Sequence, residues 1–199
     1  RKNVWVTNNS NAERLKRLND RYGVRTTYDL KELFAGAEIV VLSMKPKDAA
    51  AAIQDIREYL TQEMLVVSVL AGVSMSTIET LARLPIAVVR AMPNTSAAVG
   101  KSATAVAVNE RVTSEQIELM KDLFGTVGLT TFVEEEQLDA VTGLSGSGPA
   151  YIYYLIEAME KCAVEVGLNK DMASELIVQT LIGAAEMVKN STKSSEQLR

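Results

Sequence analysis

The chain has 199 residues, 47% of them hydrophobic, and a formal net charge of −4. That is enough apolar material for one large domain or two small ones with a true core, and the mixing of Lys and Arg with Asp and Glu argues against a nucleic-acid surface. There is no histidine and one cysteine, Cys162, which excludes a Ser-His-Asp triad, a Cys-His pair, histidine or thiolate metal sites and any intramolecular disulfide.

The first two-thirds alternates strand and helix patterns. Residues 3–7 (N-V-W-V-T) read as a short strand, and 11–22 as an amphipathic helix with Ala12, Leu15 and Leu18 on one face and Gly23 at its end. Runs at 38–44, 64–70 and 86–91 are nearly unbroken Val, Ile and Leu, which suits a parallel sheet covered on both faces. Helices fit at 46–59, 74–82 and 113–124, the last with Thr113 and Gln116 at capping-box spacing. Later strands fit at 103–108 and 129–133. The alternation predicts a doubly wound α/β domain over 1–133.

From 134 on, strand signals cease, and the Glu134-Glu135-Glu136 run reads as the solvated start of a helix. Residues 150–166 are helical and apolar around most of the circumference, ending at Gly167, and a second helix spans about 170–189. A break follows at 190–195, and 196–199 could open another helix. A helix as apolar as the first should be buried, and about 65 residues supply few partners, so a second subunit is expected to cover it. Cys162 and the eight methionines read as core filler.

The most informative stretch is Val141-Thr142-Gly143-Leu144-Ser145-Gly146-Ser147-Gly148-Pro149-Ala150-Tyr151. Pro149 suits the first turn of a helix, and glycines before it let the backbone approach another object closely. A helix N-terminus with free N–H groups and nearby hydroxyls suits a polar or anionic ligand. A plain Gly/Ser loop capping a helix accounts for the same residues equally well. It is not a dinucleotide fingerprint, because Tyr151 stands where G-x-G-x-x-G needs its last glycine.

In open parallel sheets, ligands sit at the carboxyl ends of strands. Three such ends are distinctive here: Ser43-Met44-Lys45-Pro46, Leu70-Ala71-Gly72-Val73 and Arg90-Ala91-Met92-Pro93-Asn94-Thr95. Singly each is ordinary loop punctuation; on one edge of one sheet they suggest a binding rim. The first strand end, Asn8-Asn9-Ser10, carries no acid of the kind that usually holds an NAD ribose, and Arg14 lies a turn beyond. A neutral, donor-rich end tolerates a 2′-phosphate and leans toward NADP. Ser10 can equally serve as a helix cap. The single cysteine fits a reducing compartment, and the longest apolar runs are too short to span a bilayer, so a cytoplasmic protein without membrane or nucleic-acid partners is expected.

Together these residues resemble the pyrroline-5-carboxylate reductase family. Val141 to Tyr151 resembles its signature near the start of the helical domain, and Met44-Lys45-Pro46, Val69-Leu70-Ala71-Gly72 and Arg90 to Thr95 resemble its cofactor-rim segments in order. The resemblance implies a Rossmann-like domain followed by an all-α dimerisation and substrate domain over 134–199, in a homodimer or higher homo-oligomer. It implies hydride transfer from NADPH, with NADH possible, to the C=N carbon of 1-pyrroline-5-carboxylate, giving proline in the last step of its biosynthesis. Thr142 would lie beside the imine nitrogen as the catalytic hydroxyl, with Ser145, Gly146, Ser147 and Gly148 lining the same substrate pocket. Asn9, Ser10, Met44, Lys45, Pro46, Ala71, Gly72 and Asn94 would contact the cofactor.

Against the family pattern, the chain opens at the second strand, without the first βα unit of about 30 residues and its Gly-rich turn. A Ser-Pro-Gly-Gly-Thr-type loop that follows in the family would hold the substrate carboxylate. The stretch read here is therefore expected to be inactive alone. Leu30 stands where some relatives carry a polar cofactor contact. A reductase of a different imine or of a β-hydroxy acid remains an alternative, weakened by Lys161 and Lys170 lying on an exposed helix face and past its cap. A non-catalytic paralogue of the same fold is the third.

Overall fold

The computed structural model describes residues 3–199. The chain divides into two compact units, one ending at Gly146 and the other spanning Ser147–Arg199, and each is described by itself.

The first unit begins with β1 (Trp5–Val6), helix α1 (Ala12–Tyr22) and β2 (Arg25–Thr26). Asn11, not Ser10, caps α1: its side chain accepts from the backbone N–H of Arg14. The cap falls one residue late because Asn8 brackets the turn. Its Oδ1 accepts from Asn11 N and its Nδ2 donates to Asn11 O, both at 2.8 Å. Gly23 ends the helix in the left-handed region at φ 66°. β1 and β2 pair in parallel as a separate two-stranded sheet. α2 (Leu30–Phe34) follows, capped by Asp29. Leu30 packs against the core, so an apolar residue there has a structural reason.

The main sheet has the order β3 (Ile39–Leu42), β4 (Leu65–Ser68), β5 (Ala87–Met92), β6 (Ser102–Val108), β7 (Gly128–Phe132). β3, β4 and β5 are parallel, as the apolar runs predict. β6 runs antiparallel to β5, and β7 parallel to β6. The direction reverses there because the β5–β6 link holds only a 3₁₀ turn, Thr95–Val99. That is too short for a crossover, so the chain reverses beside itself.

A 3₁₀ turn (Pro46–Asp48) leads into α3 (Ala49–Ile56), and Ser74 caps α4 (Met75–Ala82). α5 (Ser114–Gly125) starts with the capping box of Thr113 and Gln116 that the spacing predicts. One sheet face, with Leu42, Val66, Val88 and Met92, packs with Ile53 of α3 and Ile78 of α4. The other, with Leu65, Val67, Val89 and Val106, packs with Met120 and Phe124 of α5. Every residue of β4 and β5 is buried, but Val41 of β3 is 54% exposed. Gly128 opens β7 so close to β6 that a Cβ would lie 2.1 Å from the carbonyl oxygen of Ser102. No other residue fits there.

After β7, a 3₁₀ turn (Glu135–Gln137), α6 (Leu138–Val141) and a π-helical segment (Thr142–Gly146) complete the unit. Strand signals cease at 134, but these turns still belong to the sheet unit because Leu138, 1% exposed, is part of its core.

The second unit contains α7 (Gly148–Glu165), α8 (Lys170–Asn190) and α9 (Ser195–Leu198), with Pro149 in the first turn of α7 as expected. α7 buries none of its residues within the chain, and α8 buries only Ala173 and Ile177. Cys162 is exposed rather than core, because α7 has little but α8 to pack against. The methionines divide likewise: Met64, Met75, Met92 and Met120 are core, whereas Met172 and Met187 are exposed. Among the described residues, no helix is long and apolar enough to cross a membrane.

Candidate active site

Strand register assembles the site. Leu42 pairs with Ser68 and Ser68 with Arg90, so the carboxyl ends of β3, β4 and β5 lie along one edge. That edge carries Met44, Lys45 and Pro46, then Ala71 and Gly72, then Asn94. Lys45, Pro46, Ala71 and Gly72 are exposed, and Met44 and Asn94 half-buried. Gly72 has φ +70° with open space where a Cβ would stand, so it serves the turn rather than a close approach. Asn9 and Ser10 are exposed after β1, which belongs to the other sheet. Their neighbour Asn8 is engaged locally, taking a further hydrogen bond from the Tyr28 hydroxyl at 3.2 Å.

The Gly/Ser stretch is neither a free helix N-terminus nor a plain capping loop. Thr142–Gly146 is a π-helical turn, a geometry that often marks functional positions. Ser147 is in the helical region (φ −87°, ψ −11°) and makes no side-chain cap. The hydroxyl of Thr142 donates to Leu138 O at 2.7 Å, and that of Ser145 to Val141 O at 3.3 Å. Both oxygens are thereby left with lone pairs to offer.

The π turn is seated against the end of β5. Asn94 Nδ2 donates to Ser145 O at 3.0 Å, while its Oδ1 accepts from Ser96 N and its own N–H donates to Ser102 Oγ. A Cβ on Gly146 would meet Met92 Cγ at 3.4 Å, ordinary van der Waals contact, so the turn lies against Met92 without requiring glycine there. The structure thus brings together Asn94, Thr142, Ser145 and Gly146. Ser147 and Gly148 open the second unit, Ser147 exposed and Gly148 half-buried.

Two residues were missed by sequence reasoning. Glu135, read as solvated, is ion-paired: its Oε1 accepts from Arg90 Nη1 and from the backbone N–H of Met75, both at 2.7 Å. Their side chains are 7% and 26% exposed for Arg90 and Glu135 respectively. The available signal was Arg90 itself, a lone charge inside the apolar run 86–91, because a buried charge requires a partner. Lys161 is committed on the surface of α7 to Glu157, whose hydrogen bond and charge raise its pKa above the ordinary lysine value. Among the described residues, no group of three or more Cys, Asp or Glu is placed to hold a metal. The rim of the main sheet offers exposed residues at Ala71–Gly72 and the exposed Lys45, and the end of β1, in the other sheet, carries no carboxylate at Asn8–Asn9–Ser10, a set of residues that fits a phosphorylated dinucleotide.

The chain is similar in sequence and fold to known proteins. A family profile described as pyrroline-5-carboxylate reductase dimerisation matches residues 135–199, and one described as NADP oxidoreductase, coenzyme F420-dependent, matches residues 1–72. The chain is 48% identical to pyrroline-5-carboxylate reductase 2 of Bacillus subtilis, covering 98% of this chain and 70% of that protein. It is 40% identical to pyrroline-5-carboxylate reductase 1 of Bacillus spizizenii, covering 100% and 67%. A solved pyrroline-5-carboxylate reductase from Coxiella burnetii superposes with a TM-score of 0.89 at 36% identity, covering 100% of this chain and 74% of that one. The Plasmodium falciparum pyrroline carboxylate reductase, solved with NADP bound, does so at 0.85 and 28%, covering 98% and 70%. The similarity covers nearly the whole of this chain, and the chain belongs to the pyrroline-5-carboxylate reductase family.

Proposed function

We propose that the intact protein reduces 1-pyrroline-5-carboxylate to proline with NADPH, completing proline biosynthesis in the cytoplasm. The observation that carries this reading is the seating of the Thr142–Gly146 turn on Asn94, at the carboxyl edge of β3–β5. Asn9, Ser10, Met44, Lys45, Pro46, Ala71, Gly72 and Asn94 are the proposed cofactor contacts, and the neutral end at Asn9–Ser10 accommodates a 2′-phosphate. NADPH supplies the hydride. When bound, it would deliver this hydride to the imine carbon as the C=N π pair moves to a nitrogen protonated from solvent, so the chain's residues need only orient the ring and no histidine is needed.

Thr142 is the proposed substrate-side hydroxyl, with Ser145, Gly146, Ser147 and Gly148 around the same ligand. Because its proton is directed at Leu138 O, Thr142 Oγ1 acts as an acceptor for the N–H of the protonated imine. It orients the ring and does not act as a base. The exposed apolar surface of α7 and α8 is the proposed homodimer face; the dimerisation segment is proposed to open at 134, where strand signals end, while the compact helical unit begins at Ser147.

The test is NADPH oxidation by the intact protein with pyrroline-5-carboxylate, with proline identified as product. NADPH is expected to be favoured over NADH. Asn9→Asp is expected to shift preference toward NADH, because a carboxylate repels the 2′-phosphate and accepts from ribose hydroxyls. Absence of proline overturns the reaction, and a wild type already favouring NADH by about tenfold overturns the cofactor argument.

A further inference from the structure

We infer that the Arg90–Glu135 ion pair is a positioning element for the substrate-side turn, and not merely part of the core; this rests on the reading of Thr142 above. One carboxylate oxygen joins three segments that each lead into the candidate site. Arg90 lies on β5, four residues before Asn94. Met75 opens α4, three residues after Gly72. Glu135 begins the turn that continues through α6 to Thr142. The pair faces the sheet side covered by α4 and α6, where Val88, Met92 and Leu138 pack.

Geometry favours a specific tie over generic cohesion. α6 is only four residues long, so by itself it fixes neither the height nor the rotation of the turn that follows. Leu138 anchors it through apolar contact, which is non-directional. The charged hydrogen bonds of Glu135 are directional, short and largely withdrawn from water. The Arg90–Glu135 tie below and the Asn94–Ser145 bond above thus hold the π turn at two points. Buried pairs of this kind seldom add net stability over apolar replacements, and fixing one arrangement is a role they can serve.

That distinction supplies the test. In the intact protein, Glu135→Gln keeps an acceptor for the Met75 N–H but leaves Arg90 without its counter-charge. Arg90→Met combined with Glu135→Gln removes both charges and should regain much of the stability that Glu135→Gln loses. If the pair positions the turn, the double variant recovers its melting temperature but not its turnover. kcat should stay reduced on the order of ten- to a hundredfold, with KM for NADPH within about twofold of wild type. Amide exchange over 141–146 should be faster by about tenfold or more, with β4 and β5 protected as before. Glu135→Asp, which keeps the charge, should recover part of the turnover that Glu135→Gln loses.

A double variant that regains kcat and wild-type exchange together with stability overturns the inference. Should the double variant not fold, the exchange of Glu135→Gln against Glu135→Asp decides the same question. If the wild-type protein does not reduce the imine, the functional reading fails, while the exchange measurement still decides whether the pair holds the turn.

Discussion

Strands β4 and β5 and helix α7 are all rich in apolar residues, yet their surroundings are opposite. Each residue of the two strands is buried, whereas none of α7 is. Helices reach the strands from both faces, and the hydrophobic effect is satisfied inside one chain. α7 meets chiefly α8, leaving Ile152, Tyr153, Tyr154 and Leu155 exposed, as are Leu176 and Ile182 of α8. An apolar sequence therefore reports that burial is needed, not that the same chain provides it. The dimerisation profile matched to residues 135–199 points to where the remainder comes from.

The comparison can be broken by placing similar lesions in each unit. Ile78 of α4 is 1% exposed. Ile78→Ala should cost about 2–5 kcal/mol, read as a lower denaturant midpoint that is the same at all protein concentrations. Ile152→Asp should leave the sheet unit intact and act on association instead. Its dimer dissociation constant in the intact protein, measured by sedimentation, should rise by roughly a hundredfold or more, because a carboxylate would be buried without a partner. A wild-type protein that sediments as a soluble monomer at low micromolar concentration removes the basis for that expectation. So does an Ile152→Asp dimer as tight as wild type.

The sheet unit was largely legible because its strands are continuous Val and Ile runs and its helices carry explicit caps, such as Thr113 with Gln116 and Gly23. What escaped was set by length or by tertiary partners. β2 has two residues and α2 five, too few to show a period. The reversal at β6 depends on the shortness of the link after Asn94 rather than on the strand's own composition. At the site, the Gly/Ser stretch stands out in the sequence but its π geometry does not, since a tie such as Asn94 Nδ2 to Ser145 O joins residues 51 apart. Glu135 sat in an acidic run that looks solvated, and its half-buried place is set by partners distant in sequence, Arg90 of β5 and the Met75 N–H.

The most direct test of the account is the turnover of Thr142 variants in the intact enzyme. Thr142→Ala should lower kcat/KM for the imine by roughly ten- to a hundredfold, corresponding to the loss of about 1–3 kcal/mol from one hydrogen bond. Thr142→Ser should retain most activity, and both should keep wild-type folding and NADPH affinity. An alanine variant as active as wild type would contradict the account, leaving Thr142 as no more than the first residue of the π turn.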